Sequence, residues 1–136
     1  MPKLYFYDVG LALALMGVED PDQIKIHPFR GALFENLVIL EFLKQQLNRG
    51  KKPNIYFWRD NVGHEIDLLL ETGPKLVPLE IKSGQTITGE FYKGLQYWHK
   101  ITKTSGGYIV YAGQENRKES NGVQLISYNR IEIENL

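Results

Sequence analysis

Asp67, Glu80 and Lys82 are the residues in this sequence whose types and spacing could do chemistry. They lie in EIDLLLETGPKLVPLEIKSG, residues 65–84, on two aliphatic runs joined by Thr72-Gly73-Pro74. With Gly73 and Pro74 central in a type II′ turn, which takes glycine first and accepts the fixed φ of proline second, the register of a hairpin follows. Leu70 then faces Val77, Leu68 faces Leu79 and Ile66 faces Ile81, giving one face made wholly of branched aliphatics. The other face sets Asp67 opposite Glu80 and Glu65 opposite Lys82. Two carboxylates across a ladder, with Cα atoms roughly 4.5 to 5.5 Å apart, repel one another by up to ~1 kcal/mol. A hard divalent cation, Mg²⁺ or Mn²⁺, is the natural compensation, because Mg²⁺ prefers oxygen ligands and is commonly held by one or two carboxylates plus waters. Lys82 emerges on the same face, where an ammonium could orient an attacking water or offset charge on a scissile phosphate.

A plainer account stands beside this one. Glu65 with Lys82, and Asp67 with a lysine elsewhere, could be cross-strand ion pairs on a solvated face, which contribute little. The metal reading draws its weight from the combination of one carboxylate, a Glu-x-Lys thirteen residues on, and a further carboxylate upstream. That residue is Glu35, in GALFENLVILEFLKQQLN. On a helical wheel Glu41, Lys44, Gln45 and Asn48 gather on one side, and Glu35 falls among the apolar residues near Ile39 and Phe42. A carboxylate there is costly unless something pairs with it.

The elements that must position these residues can be read along the chain. Lys3 to Tyr7 reads as a short aromatic strand, and Asp8 as the cap of a helix over Val9 to Met16. Glu19 to Arg30, with two prolines, reads as a connection. Gly31 to Asn48 is a long helix stopping at Arg49-Gly50. Ile55 to Trp58, Glu65 to Glu71 and Lys75 to Lys82 are three strands in a meander, with Asp60-Asn61-Val62-Gly63 turning the first pair. Thr88 caps a helix from Gly89 to about Lys103, with Phe91, Leu95 and Trp98 at helical spacing. Gly107 to Ala112 is a buried-type strand, 113–122 a polar loop and Val123 to Ser127 a last short strand.

Composition narrows the classes. At 136 residues the chain suits one domain, with its core at about 31–112. Sixteen basic and sixteen acidic residues leave no net charge, so the strong electrostatic footprint of many nucleic-acid-binding domains is absent. With no cysteine there is no disulfide framework and no thiolate zinc site, and a cytoplasmic location is the simplest expectation. The longest apolar run, Leu11 to Val18, is far short of the ~20 residues that cross a bilayer, so no membrane partner is expected. His27, His64 and His99 form no metal-spaced pair, and no G-x-S-x-G elbow accompanies the serines. Tyr92, Tyr97 and Trp98 interleave with Lys93, Lys100 and Lys103; this reads either as a stacking surface for nucleic acid or, preferred here, as a core stripe with a solvated basic back.

The acidic residue on one strand followed by Glu-x-Lys on the next, within helix, three strands, helix and strand, resembles the PD-(D/E)XK nuclease superfamily and its αβββαβ core. More closely, KLYFYDVGL, GALFENLV, GHEIDLLLE and LEIKSG resemble the domain of unknown function that sits C-terminal to the ATPase in a large bacterial and archaeal family of AAA-like ATPases. The resemblance implies an α/β fold with a central mixed sheet flanked by the two long helices. It implies Asp67, Glu80 and the main-chain oxygen of Ile81 as Mg²⁺ ligands, Lys82 as the catalytic lysine, and Glu35 as the helix carboxylate reaching toward the site, with DNA as substrate. Glu65 and Gln96 are secondary candidates; nucleases of the RecB type carry a tyrosine four residues after that glutamine, where this chain has Lys100. Ile66 stands where the superfamily name expects proline. The chain has no G-x-x-x-x-G-K-[ST], so nucleotide hydrolysis is not assigned to it, and it is expected to be a piece of a longer ATPase-containing protein. A nonenzymatic recognition or regulatory module attached to that ATPase is the competing expectation.

Overall fold

The computed structural model describes residues 3–133. It is an α/β fold in which a six-stranded mixed sheet is covered on both faces by helices. The elements are α1 (Val9–Leu15), α2 (Pro21–Ile26), α3 (Arg30–Asn48), β1 (Ile55–Arg59), β2 (Glu65–Thr72), β3 (Lys75–Lys82), α4 (Lys93–Thr102), β4 (Gly107–Tyr111), β5 (Arg117–Lys118) and β6 (Val123–Ser127). The sheet order is β1-β2-β3-β4-β6-β5. The first three strands form an antiparallel meander, β4 and β6 run parallel to β3, and β5 closes the far edge antiparallel. No helix among the described residues is long and apolar enough to cross a membrane.

Two expectations about the first thirty residues change. Lys3 to Tyr7 is not a strand. Its main chain has no ladder partner, and the amide of Asn36 on α3 takes that part, accepting from Phe6 N at 2.7 Å and donating to Phe6 O at 2.8 Å. Nor is Glu19 to Arg30 only a connection, because α2 lies inside it. Asp20 and Gln23 form a capping box around Pro21, and proline at the first helical turn removes only an N–H that would have had no partner. Asp8 caps α1 as expected, accepting from Leu11 N at 3.0 Å. Thr88 makes no side-chain capping bond; a 3₁₀ turn over Gly89–Tyr92 leads into α4 instead.

The hairpin turn is the two-residue Gly73-Pro74, between paired Thr72 and Lys75, with Gly73 at φ +59°. Leu70 faces Val77 and Leu68 faces Leu79. Beyond that pair the expected register fails. Between Tyr56 and Trp58, β1 advances two residues while β2 advances three, from Leu69 to Ile66, so β2 carries a bulge at Asp67-Leu68. The bulge moves Ile66 to the other face of the sheet. Leu68 and Leu70 pack with Val38, Ile39 and Phe42 of α3, together with Leu79 and Ile81 of β3. Ile66 instead joins Leu69 in the cluster formed by Leu95 and Trp98 of α4. With both faces covered, Ile66 to Leu70 are all buried, and β2 reads as a continuous apolar run interrupted only by Asp67.

The altered alternation has a measurable signature in urea unfolding. Ile66→Ala and Leu95→Ala should couple by about 0.5 kcal/mol or more in a double-mutant cycle, whereas Ile66→Ala and Phe42→Ala, in different clusters, should add within about 0.5 kcal/mol. Coupling of Ile66 to Phe42 instead would place Ile66 on the α3 face and remove the bulge.

Candidate functional site

The antiparallel ladder of β2 and β3 ends at Leu68 and Leu79, and the polar residues gather where the strands part. Ile81 N does not bond across to the main chain of β2. It donates to Asp67 Oδ2 at 2.8 Å, so the Asp67 carboxylate fills the gap between the strands. Asp67 is 5% exposed and Glu80 3%. The Lys82 ammonium joins them, donating to Asp67 Oδ2 at 3.4 Å and to Glu80 Oε2. Glu80 projects toward α4, where a Cβ at Gly94 would fall on its carboxylate; glycine lets the helix approach this close. Glu80 Oε1 is buried and has no hydrogen-bond partner.

On the α3 side a second lysine completes the web. Lys3 Nζ donates to Glu35 Oε1 at 2.9 Å and lies 3.6 Å from Glu65 Oε1 and 3.9 Å from Asp67 Oδ1. Tyr5 OH also donates to Glu35 Oε1, at 2.7 Å. The carboxylate that looked misplaced on the apolar side of α3 therefore has two partners. Glu65 does not face Lys82 as the unbulged register required. It pairs with Arg59 on β1, at 2.9 Å from Nε.

The electrostatics follow from burial. Glu80 is raised from 4.5 to about 7, by loss of solvent first and the Asp67 charge second, with Lys82 working the other way. Burial also raises Asp67, against the opposing pull of Lys82 and the Ile81 N–H. Burial works against the charge on Lys82 and on Lys3, yet their carboxylate partners hold both above the ordinary lysine value. Glu65 is exposed enough for Arg59 and Lys3 to outweigh its desolvation and keep it below the usual range.

Glu35, Glu65, Asp67, Glu80 and Lys82 are thus brought to one end of the sheet, and Ile81 sits between Glu80 and Lys82 with its N–H on Asp67. Gln96 is not brought there. It is exposed on α4, two residues and so about 200° around the helix from Gly94. No group of three or more His, Cys, Asp or Glu side chains placed to hold a metal ion occurs among the described residues. A site here would rest on two carboxylates and a main-chain carbonyl. His64 stacks on Tyr97 with ring centroids 3.7 Å apart and bonds Asp60, outside the site. On α4, Leu95 and Trp98 are buried, Tyr97 bonds Asp60, and Lys93 and Lys100 are exposed, the pattern of a core stripe with a solvated back.

A profile of a domain of unknown function, DUF4143, matches residues 30–131. The chain belongs to the DUF4143 family. Two uncharacterized mycobacterial proteins, from Mycobacterium bovis and Mycobacterium tuberculosis, are each 34% identical to it over 86 residues, covering 62% of this chain and 18% of their own length. The chain therefore spans less than a fifth of those curated relatives. No solved structure gives a significant match.

In this member of the DUF4143 family, sequence reasoning missed Lys3, Tyr5, Asn36 and Gly94. The first two carried a signal: in KLYFY, Lys3 and Tyr5 alternate and so share a side, and adjacent Glu35-Asn36 offers one acceptor for side chains and one amide for the main chain. Nothing in the sequence marked Gly94, whose role depends on how closely α4 crosses β3.

Two measurements check this geometry. The raised Glu80 carboxyl retains its proton in the folded state to higher pH than in the unfolded chain. Its contribution to stability is therefore complete below about pH 4.5 and lost as the pH rises through about 7. Glu80→Gln should remove a stability loss on the order of 3 kcal/mol across that window. An unchanged slope in pH-dependent melts would show that Glu80 titrates normally. Separately, Gly94→Ala should destabilise the domain by about 1–3 kcal/mol by driving a methyl against the Glu80 carboxylate; neutral behaviour would mean α4 stands further from β3.

Proposed function

We propose that this DUF4143 domain is a metal-dependent phosphodiester hydrolase of the PD-(D/E)XK type, acting on DNA and working beside an AAA-like ATPase. The observation that carries the reading is the meeting of Asp67, Glu80 and Lys82 where β2 and β3 part, with one buried Glu80 oxygen left without a partner. The run α3, β1, β2, β3, α4, β4 follows the αβββαβ order, which supports the nuclease-like fold. The greater length of the mycobacterial relatives supports a domain that works within a larger polypeptide.

The residues fit Mg²⁺ or Mn²⁺. The donors are all oxygen, and Mg²⁺ keeps several waters, so Asp67, Glu80 and the Ile81 carbonyl suffice as protein ligands. When bound, the ion supplies positive charge against the scissile phosphate and lowers the pKa of water. Lys82 stays protonated between its two carboxylates. It therefore acts as a fixed donor, orienting the attacking water or meeting a phosphate oxygen, and not as a base. Glu35 holds the Lys3 ammonium beside Glu65 and Asp67 on the α3 side.

A second reading has its own support. The site's carboxylates are already met by Lys3, Lys82 and Arg59, an arrangement that also suits a noncatalytic recognition or regulatory module of the ATPase. Cleavage of plasmid and end-labelled DNA in Mg²⁺ or Mn²⁺ separates the two. The hydrolase reading expects metal-dependent nicking that falls by about 100-fold or more in both Asp67→Ala and Lys82→Ala. It also expects a thermal stabilisation of about 2.7 kcal/mol at a metal concentration 100 times the dissociation constant. Cleavage unchanged in Asp67→Ala, or neither cleavage nor stabilisation, sinks it in favour of the recognition module.

A further inference from the structure

The reading above needs a cation among the carboxylates, and the α3 side of the site already has one. Lys3 Nζ lies within 3.9 Å of Glu35, Glu65 and Asp67. The residues bearing it have no regular secondary structure and are fastened by side chains alone: Lys3 and Tyr5 by Glu35, Phe6 by both ends of the Asn36 amide. Asn36 is buried, whereas Leu4 and Tyr7 beside the fastened residues are 83% and 81% exposed. Tyr5, partly buried, packs against the α3-side cluster and the Lys3 ammonium lies 5.5 Å from the Phe57 ring centroid, so the segment is held by a few hydrogen bonds and these two side chains, the character of a part that can leave at modest cost.

We propose that Lys3–Phe6 is an internal plug: its ammonium occupies the carboxylate site, and a divalent cation enters by exchange, displacing the segment from Glu35 and Asn36. The proposal rests on the metal-site reading and adds its regulation. Charge supports it. Once Glu80 gives up its proton, Glu35, Glu65, Asp67 and Glu80 meet three cationic side chains, Lys3, Arg59 and Lys82, and one negative charge is left over. Exchanging the single charge of Lys3 for a double one balances the set. Independently of this count, Glu80 Oε1 is an acceptor that neither lysine serves, although Glu80 is 3% exposed. The ammonium closes the site without satisfying it.

Calorimetric titration of Mn²⁺ into the wild-type chain, Lys3→Met and Asn36→Ala tests the exchange, together with hydrogen exchange at the Phe6 amide. Lys3→Met keeps an unbranched side chain and removes the charge; it should bind Mn²⁺ at least tenfold more tightly, a difference of about 1.4 kcal/mol. Asn36→Ala, which leaves every charge in place, should move affinity the same way by loosening the segment. Mn²⁺ should speed exchange of the Phe6 amide in the wild type. Equal or weaker binding by Lys3→Met, with Phe6 exchange unaffected by metal, overturns the plug while the metal site stands. Absence of binding in all three overturns both. Should Asn36→Ala fail to fold, Lys3→Met and the exchange measurement decide alone.

Discussion

Burying two carboxylates beside one another is the constraint around which this end of the molecule is built. An ionised carboxylate in an apolar interior is costly unless it is paired and hydrogen-bonded, and two of them add mutual repulsion. Asp67 receives a main-chain N–H and the Lys82 ammonium; Glu80 receives the ammonium and presses against a glycine. Each provision shapes something larger. The ladder between β2 and β3 gives up its last bonds so that Asp67 can occupy the gap, and α4 must present Gly94 at its crossing.

The bulge in β2 belongs to the same economy. In an unbroken strand Asp67 would alternate with Ile66 and Leu68, and Ile66 would extend the aliphatic face on which α3 packs. The extra residue instead lets Leu68 face α3 while Ile66, two positions back, fills the α4 cluster. Both helices thereby keep complete apolar contacts up to the edge of the polar site. A bulge bends the strand and raises its local twist, which is consistent with the parting of β2 from β3 on its other side.

What the sequence made legible divides along the range of the interactions concerned. The long helix, the three-strand meander and the Gly73-Pro74 turn depend on local pattern and turn chemistry, and Ile55, Lys75 and Lys82 bound their strands where expected. Asp67, Glu80 and Lys82 were legible as a set because neighbouring strands bring nearby sequence together. The partner of Glu65 was not, since the hairpin's own residues give no hint of a bulge that is defined against β1. The α2 helix is hidden because Pro21 reads as a breaker, although it stands at a helix start, where proline is tolerated. The Lys3–Phe6 segment has strand-like alternation but finds its main-chain partners on a helix side chain, an arrangement with no periodic signature.

A plain ion-pair network and a metal site make different demands on this geometry. A buried ion-pair network that only stabilises a fold is an inefficient device, because apolar residues of similar volume in its place are often neutral or better. It becomes efficient only when every partner is well met. Lys3 reaches Glu35 at 2.9 Å but Glu65 at 3.6 Å and Asp67 at 3.9 Å, beyond the roughly 2.7–2.9 Å of good charge-assisted bonds. Lys82 meets Glu80 closely but Asp67 at 3.4 Å, and one Glu80 oxygen has nothing. The two ammonium groups meet several of these acceptors only at long range. A small doubly charged ion, drawing oxygens to about 2.0–2.1 Å, would satisfy the acceptors that the lysines leave wanting.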